Sequence, residues 1–160
     1  MREIGHFIGG KEVKGGSGRF GDVFNPNTGE VQAKVAFAKK AEVEEAITVA
    51  QAAQPEWAAT NPQRRARVLM KFLELVQKEF DSLARLLSAE HGKVFADAKG
   101  DIQRGLEVAE FACGIPALLK GEFSESISTQ IDVTSIRQPV GVCAAKIGRA
   151  SCRERVLRLV

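Results

Sequence analysis

The sequence predicts an incomplete α/β fold, and three observations lead to that class. Apolar residues alternate at strand spacing within the first 38 residues. They recur at three- and four-residue spacing, which is typical of helices, from residue 43 to residue 112. A strand pattern then returns and ends in an apolar run without a visible neighbouring strand. Because these pieces would not easily close a core by themselves, we expect the fold to be truncated.

The first strands surround two turns. Residues 7–13 have a hairpin pattern that turns on a pair of glycines. Residues 25–30 combine Asn and Pro, which begin a turn, with Gly29, which accepts a positive φ. Residues 31–38 alternate again and predict a strand.

A first helix follows from Val43 to Trp57, with charged residues opposite its apolar face and a distortion expected near Pro55. Asn61 and Pro62 are an N-cap and a first-turn residue, and they predict one long second helix that ends at Gly92. Its expected apolar stripe is Val68, Leu69, Phe72, Leu73, Val76, Phe80, Leu83 and Leu87.

The third predicted helix covers residues 93–112 and ends before Gly114 and Pro116. Its expected buried side is Ala98, Ile102, Gly105, Leu106, Ala109 and Ala112. Residues 127–135 then alternate as one strand, and Pro139 separates it from residues 140–145. This last run has the apolar, small-residue composition of a buried parallel strand.

Composition and charge exclude several classes of function. The chain has 160 residues, 44% hydrophobic and 27% charged, which is typical of a globular protein. The net charge of +3 comes from the last fifteen residues, which carry +4. This distribution does not indicate nucleic-acid binding. The chain has no apolar stretch of membrane-spanning length and no signal or transit pattern, so we expect no membrane association and a cytoplasmic location.

Residues suited to catalysis are scarce. Cys113, Cys143 and Cys152 form no C-x-x-C pair, so neither a disulfide framework nor a metal site is predicted. His6 and His91 lie far from them in sequence and offer no recognisable Cys-His arrangement. We interpret the thiols as packing or incidental groups.

Several runs occur in the order found in the aldehyde dehydrogenase superfamily, which the chain resembles over residues 1–145. They are Phe7-Ile8-Gly9-Gly10, the run from Val23 to Val31, the Ala-rich helix ending in Trp57, Arg64-Arg65-Ala66-Arg67-Val68-Leu69, Glu90-His91-Gly92-Lys93, and Pro139-Val140-Gly141-Val142-Cys143. The resemblance implies the N-terminal part of a doubly wound dinucleotide-binding domain.

Within that superfamily, residues 100–116 and residues 135–139 resemble the CoA-acylating methylmalonate-semialdehyde dehydrogenases. The resemblance implies that Arg104 binds the substrate carboxylate, and a planar guanidinium is suited to that task because it can donate two parallel hydrogen bonds. The alternative is an ordinary helix arginine paired with Asp101, Glu107 or a neighbour.

The same resemblance implies a reaction. A cysteine thiolate attacks the aldehyde, hydride passes to NAD, carbon dioxide is lost, and coenzyme A takes the acyl group as propionyl-CoA or acetyl-CoA. We identify no catalytic, cofactor-binding or metal-binding residue in this chain, because the nucleophile and the oxyanion asparagine would follow residue 145. The alternatives are a non-acylating aldehyde dehydrogenase and a non-catalytic interaction fragment.

The resemblance also divides the chain. Residues 1–120 would belong to the NAD-binding domain, residues 121–139 to an oligomerisation strand region of a homo-oligomer, and residues 140–145 to the first strand of the nucleotide-binding sheet. Residues 146–160 depart from the family, and residues 146–156 resemble the translation of a sequencing-adaptor oligonucleotide, so we interpret them as a foreign tail. The alternative, phosphate or membrane binding by its arginines, has no supporting motif.

Overall fold

The computed structural model describes residues 1–145. Seven strands and five helices occur in that part of the chain. In order they are β1 (Arg2–Ile4), β2 (His6–Ile8), β3 (Lys11–Val13), β4 (Phe20–Phe24), β5 (Val31–Ala36), α1 (Lys40–Ala59), α2 (Pro62–Lys78), α3 (Phe80–His91), α4 (Phe95–Cys113), α5 (Ile115–Leu118), β6 (Phe123–Ser128) and β7 (Ile131–Thr134).

A three-stranded sheet has the order β1-β5-β4, with β1 parallel and β4 antiparallel to β5. The predicted turn joins β4 to β5: the Asn25 carbonyl accepts from the Gly29 N–H at 2.8 Å, and Gly29 has φ +74°. Ala33 and Ala36 of β5 are buried. Sequence reasoning missed β1, because three residues are too few to show alternation.

The hairpin of β2 and β3 confirms the prediction for residues 7–13. Ile8 pairs with Lys11, and the two residues between them are Gly9 at φ +61° and Gly10 at φ +77°. Positive φ at both central positions matches the right-handed twist of the two strands, and only glycine adopts it freely.

Helix α1 is longer than predicted and continues through Pro55. It has no buried residue, and Val43, Ile47 and Trp57 on its predicted apolar face remain 45–49% exposed. The amphipathic pattern therefore predicted the helix correctly, while its apolar side has no covering layer within residues 1–145.

The single long helix predicted from Asn61 to Gly92 is wrong, because the chain breaks at Glu79 into α2 and α3. Glu79 has φ −98° and ψ 16°, outside the helical range. The apolar spacing continues across the break, so the pattern could not reveal it. The predicted ends are confirmed: Asn61 Oδ1 accepts from the Gln63 N–H at 2.8 Å, and Gly92 closes α3 at φ +79°.

Small side chains form the core where α2, α3 and α4 meet. Ala66, Ala84 and Ala98, one from each helix, are at most 1% exposed, and Leu106 is 6% exposed. Alanines at these contacts let the helix axes approach closely. The predicted burial of Gly105 is wrong, because this residue is exposed. Val68 and Phe72 of the predicted apolar stripe are exposed as well, since no described element covers that face.

Helix α4 begins two residues later than predicted, because Val94 is extended and precedes its first turn. Helix α5 follows Gly114 and was not predicted; Pro116 stands at its beginning, where its missing N–H costs no hydrogen bond.

The strand predicted over residues 127–135 is instead the β6–β7 hairpin. Its turn contains Gln130 at φ +60° and lacks the Asn-Gly signal that would have marked it.

The strand predicted over residues 140–145 is not formed. These residues are neither helix nor strand, and Val140 is 91% exposed. A strand requires a hydrogen-bonded neighbour, and none lies beside this segment within residues 1–145. The predicted foreign tail, residues 146–160, lies outside the described residues.

Candidate functional site

The junction of α3 and α4 places a charged cluster at the beginning of α4. The Lys93 backbone is held there because its carbonyl accepts a hydrogen bond from the Ser88 hydroxyl. The Lys93 side chain is only 9% exposed, and its ammonium lies 2.8 Å from Asp97 Oδ2. It also donates to Asp101 Oδ2. Lys93 therefore lies between two carboxylates of successive α4 turns.

Asp101 joins this lysine to the candidate substrate residue. Its Oδ2 accepts from Lys93 Nζ, and its Oδ1 accepts from Arg104 Nη2. The Asp101 side chain is 25% exposed. Lys93, Asp101 and Arg104 thus form one continuous chain of charge-assisted hydrogen bonds.

These contacts change two pKa values. The hydrogen bond from Lys93, with a smaller contribution from Arg104, lowers the pKa of Asp101 below its usual range, against the opposing effect of desolvation. The hydrogen bonds to Asp101 and then Asp97 raise the pKa of Lys93. Both groups are therefore charged at neutral pH.

Arg104 lies on the outer surface of α4, one turn beyond Asp101, with its side chain 60% exposed. The structure thus pairs it with Asp101, one of the partners named for an ordinary helix arginine. An arginine has five N–H donors, and Asp101 occupies Nη2 alone, so most of the guanidinium is open to solvent. This geometry is compatible with both interpretations of Arg104, which are binding of a substrate carboxylate and an ordinary ion pair on the helix surface.

Sequence reasoning missed Lys93 and Asp97 as members of the cluster. Asp97 and Asp101 follow Lys93 by four and eight residues, which is the spacing of one helix face. This spacing is visible in the sequence, but the helix predicted over residues 93–112 includes Lys93, which instead lies in the segment before α4.

A second polar contact joins the hairpin to α1. Glu42 accepts the N–H groups of Gly16 at 2.7 Å and Lys39 at 2.6 Å, and its Oε2 lies 3.9 Å from His6 Nε2. The two backbone hydrogen bonds, from Lys39 first, lower the pKa of Glu42. Because the carboxylate closes the first turn of α1, we assign it a structural role.

The two described cysteines occupy different surroundings. Cys113 Sγ donates to the Ala109 carbonyl at 3.3 Å within α4, and Cys143 is exposed in the segment after Pro139. Within residues 1–145 no group of three or more His, Cys, Asp or Glu side chains could hold a metal ion. No helix in that part of the chain is long and apolar enough to cross a membrane.

The described residues do not fit a dinucleotide. Their three sheets include no parallel sheet flanked by helices, and the glycine-rich residues 15–18 precede β4 rather than joining a strand to a helix. The Gly16 N–H is already bonded to Glu42. We therefore derive no step through a nucleotide from these residues.

The comparisons with known proteins agree with this architecture. The profile of the aldehyde dehydrogenase family matches residues 13–147. The malonate-semialdehyde dehydrogenase of Pseudomonas aeruginosa is 43% identical over 144 residues, which is 90% of this chain and 29% of that protein. The human mitochondrial methylmalonate-semialdehyde/malonate-semialdehyde dehydrogenase, described as acylating, is 43% identical over 86% of this chain and 26% of its own length.

A structure assigned as methylmalonate-semialdehyde dehydrogenase from Sinorhizobium meliloti 1021, complexed with NAD, is 60% identical. It superimposes with a TM-score of 0.84 over 88% of this chain and 29% of that one. The chain belongs to the aldehyde dehydrogenase family, and its fold matches the N-terminal part of such enzymes. The relatives named here are malonate- and methylmalonate-semialdehyde dehydrogenases, which confirms the resemblance seen in the sequence. The chain spans less than a third of their length.

Proposed function

We propose that this chain forms the N-terminal part of an NAD-dependent, CoA-acylating dehydrogenase of methylmalonate or malonate semialdehyde. The proposal rests on sequence similarity to known enzymes. The Sinorhizobium protein is 60% identical in sequence, and the human relative is described as acylating. NAD is proposed because the Sinorhizobium structure holds it. Coenzyme A is proposed from the acylating description alone.

Within that enzyme, Arg104 binds the substrate carboxylate. Both semialdehydes carry a carboxylate in addition to the aldehyde, so a binding residue must be cationic and accessible. Arg104 is 60% exposed and always charged. Its contact with Asp101 through Nη2 leaves N–H groups that can make two parallel hydrogen bonds to a carboxylate.

Activity requires the part of the enzyme that this chain lacks, so the test uses a hybrid enzyme. In it, residues 1–145 precede the remaining C-terminal part of the Sinorhizobium protein. The hybrid should oxidise methylmalonate semialdehyde with NAD and form propionyl-CoA when coenzyme A is supplied. A hybrid that folds without dehydrogenase activity would contradict the proposal, and free acid in place of acyl-CoA would favour the non-acylating alternative.

The role of Arg104 is tested by Arg104→Ala in the hybrid enzyme. Losing two charge-assisted hydrogen bonds should cost about 2 to 3 kcal/mol, which lowers kcat/KM for methylmalonate semialdehyde by roughly 30- to 200-fold. Propanal has no carboxylate and should lose less than about threefold. Gln103→Ala, on the neighbouring exposed position, is the control and should affect neither substrate. Equal losses on both aldehydes would show that Arg104 is structural.

The remaining proposals concern assembly and location. The residues of β6 and β7 are all exposed, which supports residues 121–139 as the oligomerisation region of a homo-oligomer. From the family resemblance alone, we propose that residues 1–120 belong to the NAD-binding domain and that residues 140–145, which form no strand within the described residues, pair as the first strand of its sheet in the whole enzyme. Light scattering of the hybrid enzyme with and without Ile131→Ser would test the interface. We propose a cytoplasmic location, as the sequence leads us to expect; the human relative is described as mitochondrial.

A further inference from the structure

We propose that Asp101 is a positioning residue, which holds the Arg104 guanidinium in one orientation and is itself anchored by Lys93. The inference rests on the proposed role of Arg104. It concerns a residue that does not contact the substrate, and it assigns a separate task to each carboxylate of the cluster.

The first step is the anchor. Lys93 is 9% exposed and follows directly after Gly92, the residue that ends α3. Its carbonyl is fixed by Ser88, and its ammonium is fixed by Asp97 and Asp101. A residue held at its backbone carbonyl and at its ammonium is a fixed point of attachment at the helix junction.

The second step is the transfer of that rigidity to Arg104. One oxygen of Asp101 accepts a hydrogen bond from Lys93 and the other accepts one from Arg104 Nη2. These two hydrogen bonds together fix the orientation of the carboxylate plane. Arg104 is otherwise a long side chain, 60% exposed, that would sample many rotamers. Fixing it before the substrate arrives reduces the entropy lost on binding.

The third step concerns charge. Lys93, Asp97, Asp101 and Arg104 sum to zero, so the cluster as a whole exerts little long-range attraction on an anion. Recognition of a carboxylate must then depend on short, directed hydrogen bonds from Arg104. Directed bonds depend on the orientation that Asp101 maintains.

The test compares Asp101→Asn with Glu107→Gln in the hybrid enzyme. Both substitutions remove one negative charge from α4 within one turn of Arg104, but Asp101 contacts Lys93 and Arg104, whereas the exposed Glu107 accepts from Gln103. We expect Asp101→Asn to raise the KM for methylmalonate semialdehyde about 2- to 10-fold, with kcat changed by less than about twofold. Glu107→Gln should leave the KM within about twofold of the parent value, and propanal should respond to neither. Asp101→Glu, which keeps the carboxylate, should recover part of the loss.

Three outcomes would overturn the inference. A lower KM in Asp101→Asn would show that Asp101 competes with the substrate for Arg104. Equal shifts in Asp101→Asn and Glu107→Gln would show an effect of net charge. A fall in kcat on both aldehydes together with Tm would show a structural role. The Arg104→Ala assay judges the proposed function separately: if that variant discriminates the two aldehydes while Asp101→Asn does not, only the inference fails.

Discussion

Gly92, at the end of α3, lies against the ring of Pro26 in the turn between β4 and β5. A Cβ added to Gly92 would stand 2.9 Å from Pro26 Cγ and 3.1 Å from Pro26 Cβ. Two of the runs that resemble aldehyde dehydrogenases therefore meet in space. The contact joins the small sheet to the helical layer, next to the segment from which Lys93 extends.

The first prediction concerns this contact. Gly92→Ala forces a non-glycine residue to φ +79° and brings its methyl group against Pro26, so it should lower the apparent Tm of the hybrid enzyme. The backbone conformation alone should cost about 1 to 3 kcal/mol. Gly29→Ala is the matched control, because Gly29 has φ +74° and no atom within 4 Å of an added Cβ. Thermal unfolding should rank parent, Gly29→Ala and Gly92→Ala in falling order, and equal shifts in the two variants would disprove the packing contribution.

The second prediction concerns Glu42 and pH. Its pKa is lowered in the folded chain by the N–H groups of Lys39 and Gly16, so its carboxylate stabilises the fold above the unfolded value of 4.5. That stability is lost as the pH falls through the lowered folded pKa. Glu42→Gln should therefore lower Tm at pH 7 and show a smaller further loss on acidification than the parent does.

The control for this pH series is Glu44→Gln. Glu44 is 61% exposed and is paired with Lys40 on the same helix, without a hydrogen bond from a loop N–H among the described residues. Its Tm profile between pH 3 and pH 7 should follow the parent profile to within about 1 °C. The same acid sensitivity in parent and Glu42→Gln would contradict the prediction.

The third prediction concerns the chain as it stands. Val68 and Phe72 on α2 and Val140 after β7 are 51–91% exposed, so the 160-residue chain should be poorly soluble. It should also show no NAD reduction with an aldehyde above a no-enzyme blank. Size-exclusion chromatography that shows a compact monomer, or a measurable rate of NAD reduction, would prove this prediction wrong.

The fourth prediction concerns residues 146–160. Their interpretation as a foreign tail is a prediction from the sequence. If they are translated adaptor, long-read sequencing of the source genome should show another open reading frame after codon 145. We expect that frame to encode an Asn-Phe-Pro segment and, further on, a cysteine motif. Genomic reads that continue into the Arg-rich codons would refute the interpretation.

Local features were predictable because each depends on a few adjacent residues. The Gly pair determines the β2–β3 hairpin, Asn61 and Pro62 begin α2, and Gly92 ends α3. Each of these positions satisfies backbone groups or permits a φ angle within its own turn. The family was recognisable for the same reason, since its runs are short and appear in order.

The candidate site was only partly predictable. The resemblance implied a role for Arg104, and its helical spacing indicated Asp101 as a partner. The spacing of four and eight residues from Lys93 to Asp97 and Asp101 was visible, but no local pattern showed that Lys93 leaves the helix and becomes nearly buried. That arrangement includes a contact across the junction of α3 and α4, where the Ser88 hydroxyl donates to the Lys93 carbonyl.

The sequence by itself determined the turns, the helix ends and the family, because each of these depends on residues that are adjacent in the chain. Tertiary structure decided the pairing of β1 with β5 and the absence of a strand over residues 140–145 within the described part of the chain. Each of these depends on partners that are distant in the chain or lie outside residues 1–145. A strand exists only beside another strand, so neither outcome could be read from local spacing.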